Sequence, residues 1–323
     1  MAACSSIIIS EPLAEIVVTE FMDEAAVAAL RADFRLLYDP GLVDRPDDLA
    51  RAVADARGLI VRNRTQVRGA LLAAATRLQA VGRLGVGLDN IDVEACQARG
   101  IAVLPATGAN ETAVAEYVLA AALILLRDVY AHRPAMLAGG WPRERLLGRE
   151  LSGRRIGLVG LGAIARQVAA RAAAMGMGVG AHDPFVDAAD PAWHGIRRHR
   201  RLKDLLAASD VVSLHVPLTA KTRDLIDAEA IDAMRRDAVL INTARGGIVD
   251  EPALAAALRE GRLAGAALDV FAREPLTAEA ARPFAGCPNL ILTPHVAGVT
   301  EESNVRVSLV TARNLREVLL AHS

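Results

Sequence analysis

The sequence predicts an α/β protein with two doubly wound domains, each built on a parallel sheet. Short apolar strands alternate with helices over residues 15–100 and again over residues 156–293, which is typical of parallel sheets covered by helices. Two strands of the first half and every strand of the second half end in polar or glycine residues. The chain has 323 residues, 53% of them hydrophobic, and this is enough for two cores.

The first half contains four expected strands and three expected helices. The strands are expected at 15–19, 34–38, 58–62 and 78–82, and the helices at 23–32, 46–56 and 69–75. Polar residues 62–65 and the glycine-rich stretch 83–90 follow two of these strands. In open α/β sheets ligands bind beyond the carboxyl ends of strands. Solvated loop arginines and turn glycines explain the same residues equally well.

A helix over residues 111–127 is apolar nearly all round. Such a helix must be buried on every side, either in a core or against another subunit. Residues 134–147 after it are typical of a looped arm, in which Trp141 is interpreted as an anchor packed in the core or at a contact.

A dinucleotide fingerprint stands near the middle of the chain. Gly160-Leu161-Gly162 separates a strand at 156–159 from a helix that begins at Ala163, so Gly160 permits the turn and Gly162 lets backbone amides approach a pyrophosphate. Asp183 ends the next strand, about 20 residues on, where a carboxylate binds a ribose 2′-hydroxyl and repels a 2′-phosphate. These residues predict NAD rather than NADP. A glycine-rich turn without a ligand is the alternative.

The second half continues the alternation after a polar surface crossing at 187–201, whose His194 and His199 are expected to be solvated. Helices are expected at 202–208, 228–234 and 251–258, and strands at 210–215, 238–242, 263–270 and 290–293.

Three ionisable residues follow three successive strands of this half: Arg245, Glu274 and His295. Singly they fit a surface ion pair, a loop start and a packed loop imidazole. Together they suit hydride transfer to a 2-keto acid, because an arginine fork binds the carboxylate and polarises the carbonyl. An imidazole protonates the new alkoxide, and a neighbouring carboxylate orients it and favours its charged form.

Composition narrows the class of protein. A net charge of −1 argues against a nucleic-acid binder. Cys4, Cys96 and Cys287 form no CxxC pair, which predicts a reducing cytosol and no metal site. Residues 7–9 are too short for a secretory leader, and the longest apolar run, 117–126, is shorter than the roughly 20 residues of a membrane span. We therefore expect a soluble cytoplasmic protein whose partner is a small molecule.

From about residue 61 to residue 300 the sequence resembles the D-isomer-specific 2-hydroxyacid dehydrogenases. The stretches that carry the resemblance are 81–92, 113–116, 160–164, 242–250, 267–275 and 293–295. The resemblance implies that Arg245 binds the substrate, that His295 is the acid/base paired with Glu274, and that the amides of Val86 and Gly87 hold the substrate carboxylate. It also implies that NAD is bound by Gly160, Gly162, Ala163, Ile164, Asp183, Val216, Pro217, Thr243, Ala244 and Asp269.

Within the family the chain is similar to the short D-3-phosphoglycerate dehydrogenase branch, which makes 3-phosphoglycerate and phosphohydroxypyruvate the first expected substrate pair. Arg62-Asn63-Arg64, expected close to Asn110, form a cationic corner that suits a phosphate or a sulfonate, so sulfolactate is the main alternative, and Arg62 and Asn110 are expected substrate ligands. A glyoxylate or hydroxypyruvate reductase and a non-enzymatic NAD-sensing corepressor are further alternatives. Ala163 stands where many relatives carry arginine, which puts NAD affinity in question.

The resemblance also implies a domain arrangement. We expect a flavodoxin-like substrate domain from residues 1–101 and 296–323, with an NAD-binding Rossmann domain inserted at 102–295. In this family the helix corresponding to 111–127 lies at a dimer contact, so we expect a homodimer.

Overall fold

The computed structural model describes residues 14–321, so Cys4 and residues 7–9 lie outside the described part of the chain. The chain divides into two compact units. The first contains the residues up to Asn110 and from Thr300 onward, and the second contains Glu111–Val299.

The first unit contains a five-stranded parallel sheet. Its strands are β1 (Ile16–Val18), β2 (Leu36–Tyr38), β3 (Gly58–Val61), β4 (Ala80–Arg83) and β5 (Ala102–Pro105), in the order β2-β1-β3-β4-β5. Four helices alternate with them: α1 (Glu24–Arg31), α2 (Pro46–Val53), α3 (Gly69–Ala74) and α4 (Val93–Ala98). This is the flavodoxin-like strand order, and the order reverses between β1 and β3.

Both faces of this sheet are buried. Ile16, Val18 and Ile60 belong to one apolar cluster, and Val17 and Leu59 belong to another. Because successive residues of a strand point to opposite faces, strands covered on both sides become continuous apolar runs.

The second unit contains a seven-stranded parallel sheet. Its strands are β6 (Arg155–Val159), β7 (Gly178–His182), β8 (Arg197–Arg198), β9 (Val211–Leu214), β10 (Val239–Asn242), β11 (Gly265–Leu268) and β12 (Leu290–Leu292), in the order β12-β11-β10-β9-β6-β7-β8. The helices of this unit are α5 (Glu111–Arg127), α6 (Arg133–Leu137), α7 (Ala163–Ala174), α8 (Leu202–Ala208), α9 (Ala228–Asp232) and α10 (Glu251–Arg259). The order reverses between β6 and β9, so the two-domain α/β prediction, with a Rossmann sheet in one domain, is confirmed.

The boundaries between the two units in the sequence differ from the expected 101/102 and 295/296, and lie at 110/111 and 299/300. Strand β5 pairs with β4, with Ala102 beside Ala80, so it belongs to the first unit. Ala297 packs in a core cluster of the second unit. The last helix, α11 (Glu301–Ala321), belongs to the first unit. Its Leu315 and Leu319 pack in the same apolar cluster as Ile16.

Helix α5 is only partly buried. Val118, Ala122 and Leu125 pack in the core of the second unit, but Leu123 is 37% exposed and Ile124 is 39% exposed. The core of the single chain therefore covers only part of this helix, and burial of its remaining apolar face against another subunit stays a prediction.

One expectation about a loop side chain is narrowed and another is corrected. Trp141 is 77% exposed, so it is not packed in the core of this chain, and packing at a contact stays a prediction. His199 is partly buried rather than solvated, because it packs beside Gly180 and its carbonyl lies 3.0 Å from Nδ1 of His182. Burial, with help from Arg197, lowers the pKa of His199. Across residues 14–321 no helix combines the length and the apolar content that a membrane crossing needs.

Candidate active site

The glycine turn after β6 has the geometry of a phosphate-binding loop. Gly160 has a φ of +92°, and a Cβ added there would lie 2.7 Å from the carbonyl oxygen of His215, so only glycine fits. Gly162 is the N-cap of α7 and provides no side-chain cap. A Cβ added at Gly162 would meet nothing within 4 Å. The amides of Ala163 and Ile164 donate no hydrogen bond within residues 14–321, and free amides at a helix N-terminus suit an anion.

Asp183 is joined to this turn. Its Oδ2 accepts a hydrogen bond from the amide of Leu161 at 2.9 Å, and its Oδ1 accepts one from the amide of Phe185 at 2.9 Å. A carboxylate offers about four lone-pair sites, so both oxygens can accept further hydrogen bonds. The half-buried carboxylate is held where the fingerprint predicts a ribose.

Residues after β9 and β10 line the same edge of the sheet. Val216 and Pro217 follow β9, and Thr243 and Ala244 follow β10. The hydroxyl of Thr243 is buried and has no hydrogen-bond partner among residues 14–321, whereas the amide of Ala244 donates to Oδ1 of Asn242 at 3.0 Å. A buried hydroxyl without a partner is rare in folded proteins. The open α7 amides, Asp183 and this hydroxyl together fit a bound dinucleotide.

His215 is a further feature of this edge that the sequence did not indicate. Burial lowers its pKa to about 4, so the ring is neutral at neutral pH. Its Nε2 lies 2.9 Å from the hydroxyl of Ser213, and its carbonyl is the group that packs against Gly160.

His295 and Glu274 form the expected pair. Nδ1 of His295 lies 2.8 Å from Oε2 of Glu274, and Oε1 of Glu274 accepts a hydrogen bond from the amide of Phe271 at 3.0 Å. Burial raises the pKa of Glu274, but the hydrogen bonds from His295 and Phe271 and the charge of Arg245 outweigh it, and the net pKa is lowered. The carboxylate is therefore ionised at neutral pH. Because it engages Nδ1, Nε2 is the ring nitrogen left for proton transfer.

Arg245 lies in the electrostatic neighbourhood of this pair, since its charge contributes to lowering the pKa of Glu274. Its Nη1 donates to the carbonyl of Ala244 at 2.6 Å. The next residue explains the placement: a Cβ added at Gly246 would lie 1.8 Å from the carbonyl oxygen of Phe271. Only glycine allows the chain after β10 to approach the segment that carries Glu274.

Asp269 has a role that the sequence did not indicate. Its side chain is 1% exposed. Oδ1 accepts hydrogen bonds from the hydroxyl of Thr293 at 2.6 Å and the amide of Val296 at 2.8 Å, and Oδ2 accepts one from the amide of Ala297 at 2.8 Å. Tyr117 of α5 lies 2.5 Å from the Thr293 hydroxyl. Asp269 thus fixes the segment that carries His295, whose φ of +56° is left-handed. The available signal was a tyrosine in an apolar helix, since a buried tyrosine hydroxyl needs a partner.

In the first unit, Arg62 and Arg64 have different environments. Arg64 is exposed and forms an ion pair with Asp44. Arg62 is half-buried, and its Nη2 donates to Oδ1 of Asn304 at 2.7 Å. Burial lowers the pKa of Arg62, while the charge of Glu20 opposes the shift. No carboxylate within residues 14–321 forms an ion pair with this guanidinium.

The other predicted substrate ligands of the first unit are placed as donors and acceptors without protein partners. In the described chain, the amides of Val86 and Gly87 donate no hydrogen bond. Oδ1 of Asn110 is buried and also has no partner among the described residues. Two adjacent free amides suit a carboxylate.

The comparisons with known proteins agree with this chemistry. The sequence model of the family described as "D-isomer specific 2-hydroxyacid dehydrogenase, NAD binding domain" matches residues 119–297. The chain is 55% identical over 307 residues to (S)-sulfolactate dehydrogenase of Chromohalobacter salexigens, covering 95% of this chain and 99% of that protein. It is 36% identical to D-3-phosphoglycerate dehydrogenase of Methanocaldococcus jannaschii, covering 95% of this chain but 58% of that protein. The structure of D-lactate dehydrogenase from Aquifex aeolicus, complexed with NAD and lactic acid, is similar with a TM-score of 0.84 at 28% identity, over 95% of this chain and 96% of that one.

Proposed function

This chain belongs to the D-isomer specific 2-hydroxyacid dehydrogenase family and is an NAD-dependent oxidoreductase of CH–OH groups, and on that premise we propose that it interconverts (S)-sulfolactate and 3-sulfopyruvate. The observation that carries the proposal is the half-buried guanidinium of Arg62, which has an amide partner but no carboxylate. The identity of 55% to a sulfolactate dehydrogenase over nearly the whole of both chains supports it. The sequence alone favours 3-phosphoglycerate and leaves sulfolactate as the main alternative. We now propose sulfolactate as the first substrate and 3-phosphoglycerate as the second.

The configuration of the substrate agrees with the family. The (S) descriptor of sulfolactate follows from the higher priority of the carbon that bears sulfur. Its carbon 2 therefore has the spatial arrangement that is called D in lactate and in 3-phosphoglycerate.

A second anion on the substrate would complete the environment of Arg62. Partial burial of a cation costs free energy unless an anion or well-placed acceptors compensate. Arg64 forms a direct ion pair with Asp44. Arg62 forms none among the described residues: its guanidinium donates to the neutral Asn304, and the charge of Glu20 acts on it without an ion pair. We propose that the sulfonate is the counter-ion of Arg62 and that Asn110 assists it as a hydrogen-bond donor.

The proposed mechanism divides the remaining roles among this chain's residues. Val86 and Gly87 bind the carboxylate through their amides. Arg245 holds the substrate and polarises the carbonyl, and Nε2 of His295 gives a proton to the carbon 2 oxygen in reduction or takes it in oxidation. Glu274 stays ionised, orients the ring through Nδ1 and stabilises imidazolium. NAD supplies the hydride chemistry at carbon 2, and we propose that the glycine turn, Asp183, Val216, Pro217, Thr243, Ala244 and Asp269 hold it.

Phosphohydroxypyruvate is the second candidate, favoured by the similarity to 3-phosphoglycerate dehydrogenases. The two substrates differ in titration, because a phosphate monoester gains its second charge near pH 6 and a sulfonate keeps one charge throughout. If the substrate carries a sulfonate, its Michaelis constant should stay the same between pH 5.5 and 7.5.

The test is a comparison of kcat/KM for sulfopyruvate, phosphohydroxypyruvate and pyruvate with NADH. We expect sulfopyruvate to be the best substrate, and Arg62→Ala to lower its kcat/KM by about 10- to 100-fold, as loss of a charge-assisted hydrogen bond predicts. Pyruvate should lose much less, and the control Arg64→Ala should behave as wild type. A wild-type enzyme that reduces pyruvate as well as sulfopyruvate would contradict the proposal.

We also propose that the protein is a cytoplasmic homodimer. The exposed apolar face of α5 at Leu123 and Ile124, together with Trp141 and Leu147 in the following segment, provides apolar surface that a second copy would cover. Cys96 and Cys287 are free thiols, which suits a reducing compartment. Light scattering at micromolar concentration should give twice the 34.1 kDa chain mass, and a monomer would refute the assembly.

A further inference from the structure

The side chain that holds the Arg62 guanidinium is uncharged. Nη2 of Arg62 donates to Oδ1 of Asn304, in the first turn of α11, at 2.7 Å. Two surface arginines of the same unit pair with carboxylates instead: Arg64 with Asp44 and Arg316 with Asp33.

Glu20, the carboxylate whose charge acts on Arg62, accepts its hydrogen bonds from the backbone and forms no ion pair with the guanidinium. Glu20 is 5% exposed, and its two oxygens accept hydrogen bonds from the amides of Arg62, Arg64 and Thr65 at 2.9, 3.1 and 3.0 Å. Glu20 therefore shapes the turn after β3, and the side chain of Arg62 is directed by Asn304 instead.

An amide is not the residue that helix stability favours at this position. Negative side chains in the first turn of a helix interact favourably with its dipole, and α11 carries Glu301 and Glu302 there. A carboxylate at position 304 would continue that trend and would pair with Arg62 at the same distance. It would also neutralise the guanidinium, and a neutralised guanidinium binds a second anion weakly.

We propose that Asn304 is a specificity-determining residue, which orients the Arg62 guanidinium without neutralising it and so reserves its charge for the second anion of the substrate. This inference rests on the proposed function of Arg62. Asn304 accepts one N–H of the fork, and the others remain for a sulfonate or phosphate, which matches the geometry that makes arginine the preferred partner of such groups.

The test is Asn304→Asp, which keeps the size and the acceptor oxygen and adds one charge. We expect kcat/KM for sulfopyruvate to fall about 10-fold or more relative to that for pyruvate, the effect of a lost charge-assisted contact. The melting temperature should stay the same or rise, because the new charge lies in the first turn of α11. The matched control is Asn314→Asp, the same change about 15 Å further along α11, which should leave both substrates unaffected.

A double-mutant cycle isolates the coupling. In an Arg62→Ala background, Asn304→Asp should no longer discriminate between sulfopyruvate and pyruvate. An equal loss on both substrates in the single variant, or discrimination that persists without Arg62, would overturn the role of Asn304. If the wild-type enzyme did not prefer dianionic substrates at all, the proposed function of Arg62 would fail first, so the two failures are distinguishable.

Discussion

Glu274→Gln tests the proton-transfer pair most directly, because the structure gives both oxygens of this carboxylate a donor. Oε1 accepts from the amide of Phe271, and Oε2 faces Nδ1 of His295. A glutamine of the same shape can still accept from the Phe271 amide through its oxygen, and its N–H can then donate only to an Nδ1 that carries no proton. The substitution therefore removes the negative charge and the acceptor for Nδ1–H, and both changes disfavour the protonated ring.

The magnitude follows from the distance and the exposure of the pair. His295 Nδ1 and Glu274 Oε2 are 2.8 Å apart, and the two side chains are 37% and 33% exposed. At that exposure the effective dielectric constant is closer to water than to a protein interior, so the attraction is about 1–2 kcal/mol. Because about 1.4 kcal/mol is a factor of ten in rate, loss of this attraction should lower kcat/KM for reduction at neutral pH by about tenfold.

The direction is the same for both reactions. Reduction requires protonated His295 and oxidation requires the neutral ring, and loss of the carboxylate disfavours the protonated form. The alkaline limb of kcat/KM for reduction and the acid limb for oxidation should both move to lower pH. Glu279→Gln, at an exposed position nearby, is the control and should leave both limbs in place. Unchanged limbs in the Glu274 variant would show that this carboxylate does not act on His295.

Three further predictions concern the acid/base, the cofactor and the neutral imidazole beside the glycine turn. His295→Asn should lower kcat by about 10²–10⁴ while NADH binding, measured by fluorescence titration, stays nearly intact; weakened NADH binding would contradict the assignment. Asp183→Ser should raise the NADP to NAD ratio of kcat/KM by at least about tenfold, and equal use of both cofactors by the wild type would contradict the role of Asp183. His215 has a folded pKa of about 4 against an ordinary 6.5, so the unfolded chain binds a proton first as the pH falls. The free energy of unfolding should then decline between pH 6.5 and 4 by up to about 3 kcal/mol, and urea titrations of His215→Asn should lack this part of the decline.

The elements that the sequence predicted well are those buried on both faces. β3 (Gly58–Val61) and β10 (Val239–Asn242) are fully buried apolar runs, and such runs are visible in the sequence without knowledge of tertiary contacts. The two missed strands lie at sheet edges. β5 ends in proline, and β8 consists of Arg197 and Arg198. Edge strands tolerate proline and charge. β8 therefore has no apolar signal, and the apolar run of β5 is only three residues long before its proline, so the expected domain boundary at residue 101 fell before β5.

The direction of individual side chains is the second limit of sequence reasoning. Arg62 and Arg64 are two residues apart after β3 and carry the same charge, and alternation along a strand places them on the same side only while the strand continues. β3 ends at Val61. Their environments are then decided by Asn304 and Asp44, which come from distant parts of the chain.

Asp269 shows how a motif can identify a residue of the site without giving its structural role. It follows β11, at the edge where cofactor contacts are expected, and a contact with NAD stays a prediction. Its oxygens accept hydrogen bonds from Thr293, Val296 and Ala297, which lie 24–28 residues further along the chain and on either side of His295. A buried carboxylate is retained only where several donors satisfy it, so this charge fixes the turn that presents the imidazole. Because the amide of His295 also donates to the carbonyl of Asp269 at 2.8 Å, the side chain and the backbone of Asp269 together attach the segment of His295 to the end of β11. Tyr117 reaches this network from α5 through Thr293, so the apolar helix helps to hold the loop that carries His295.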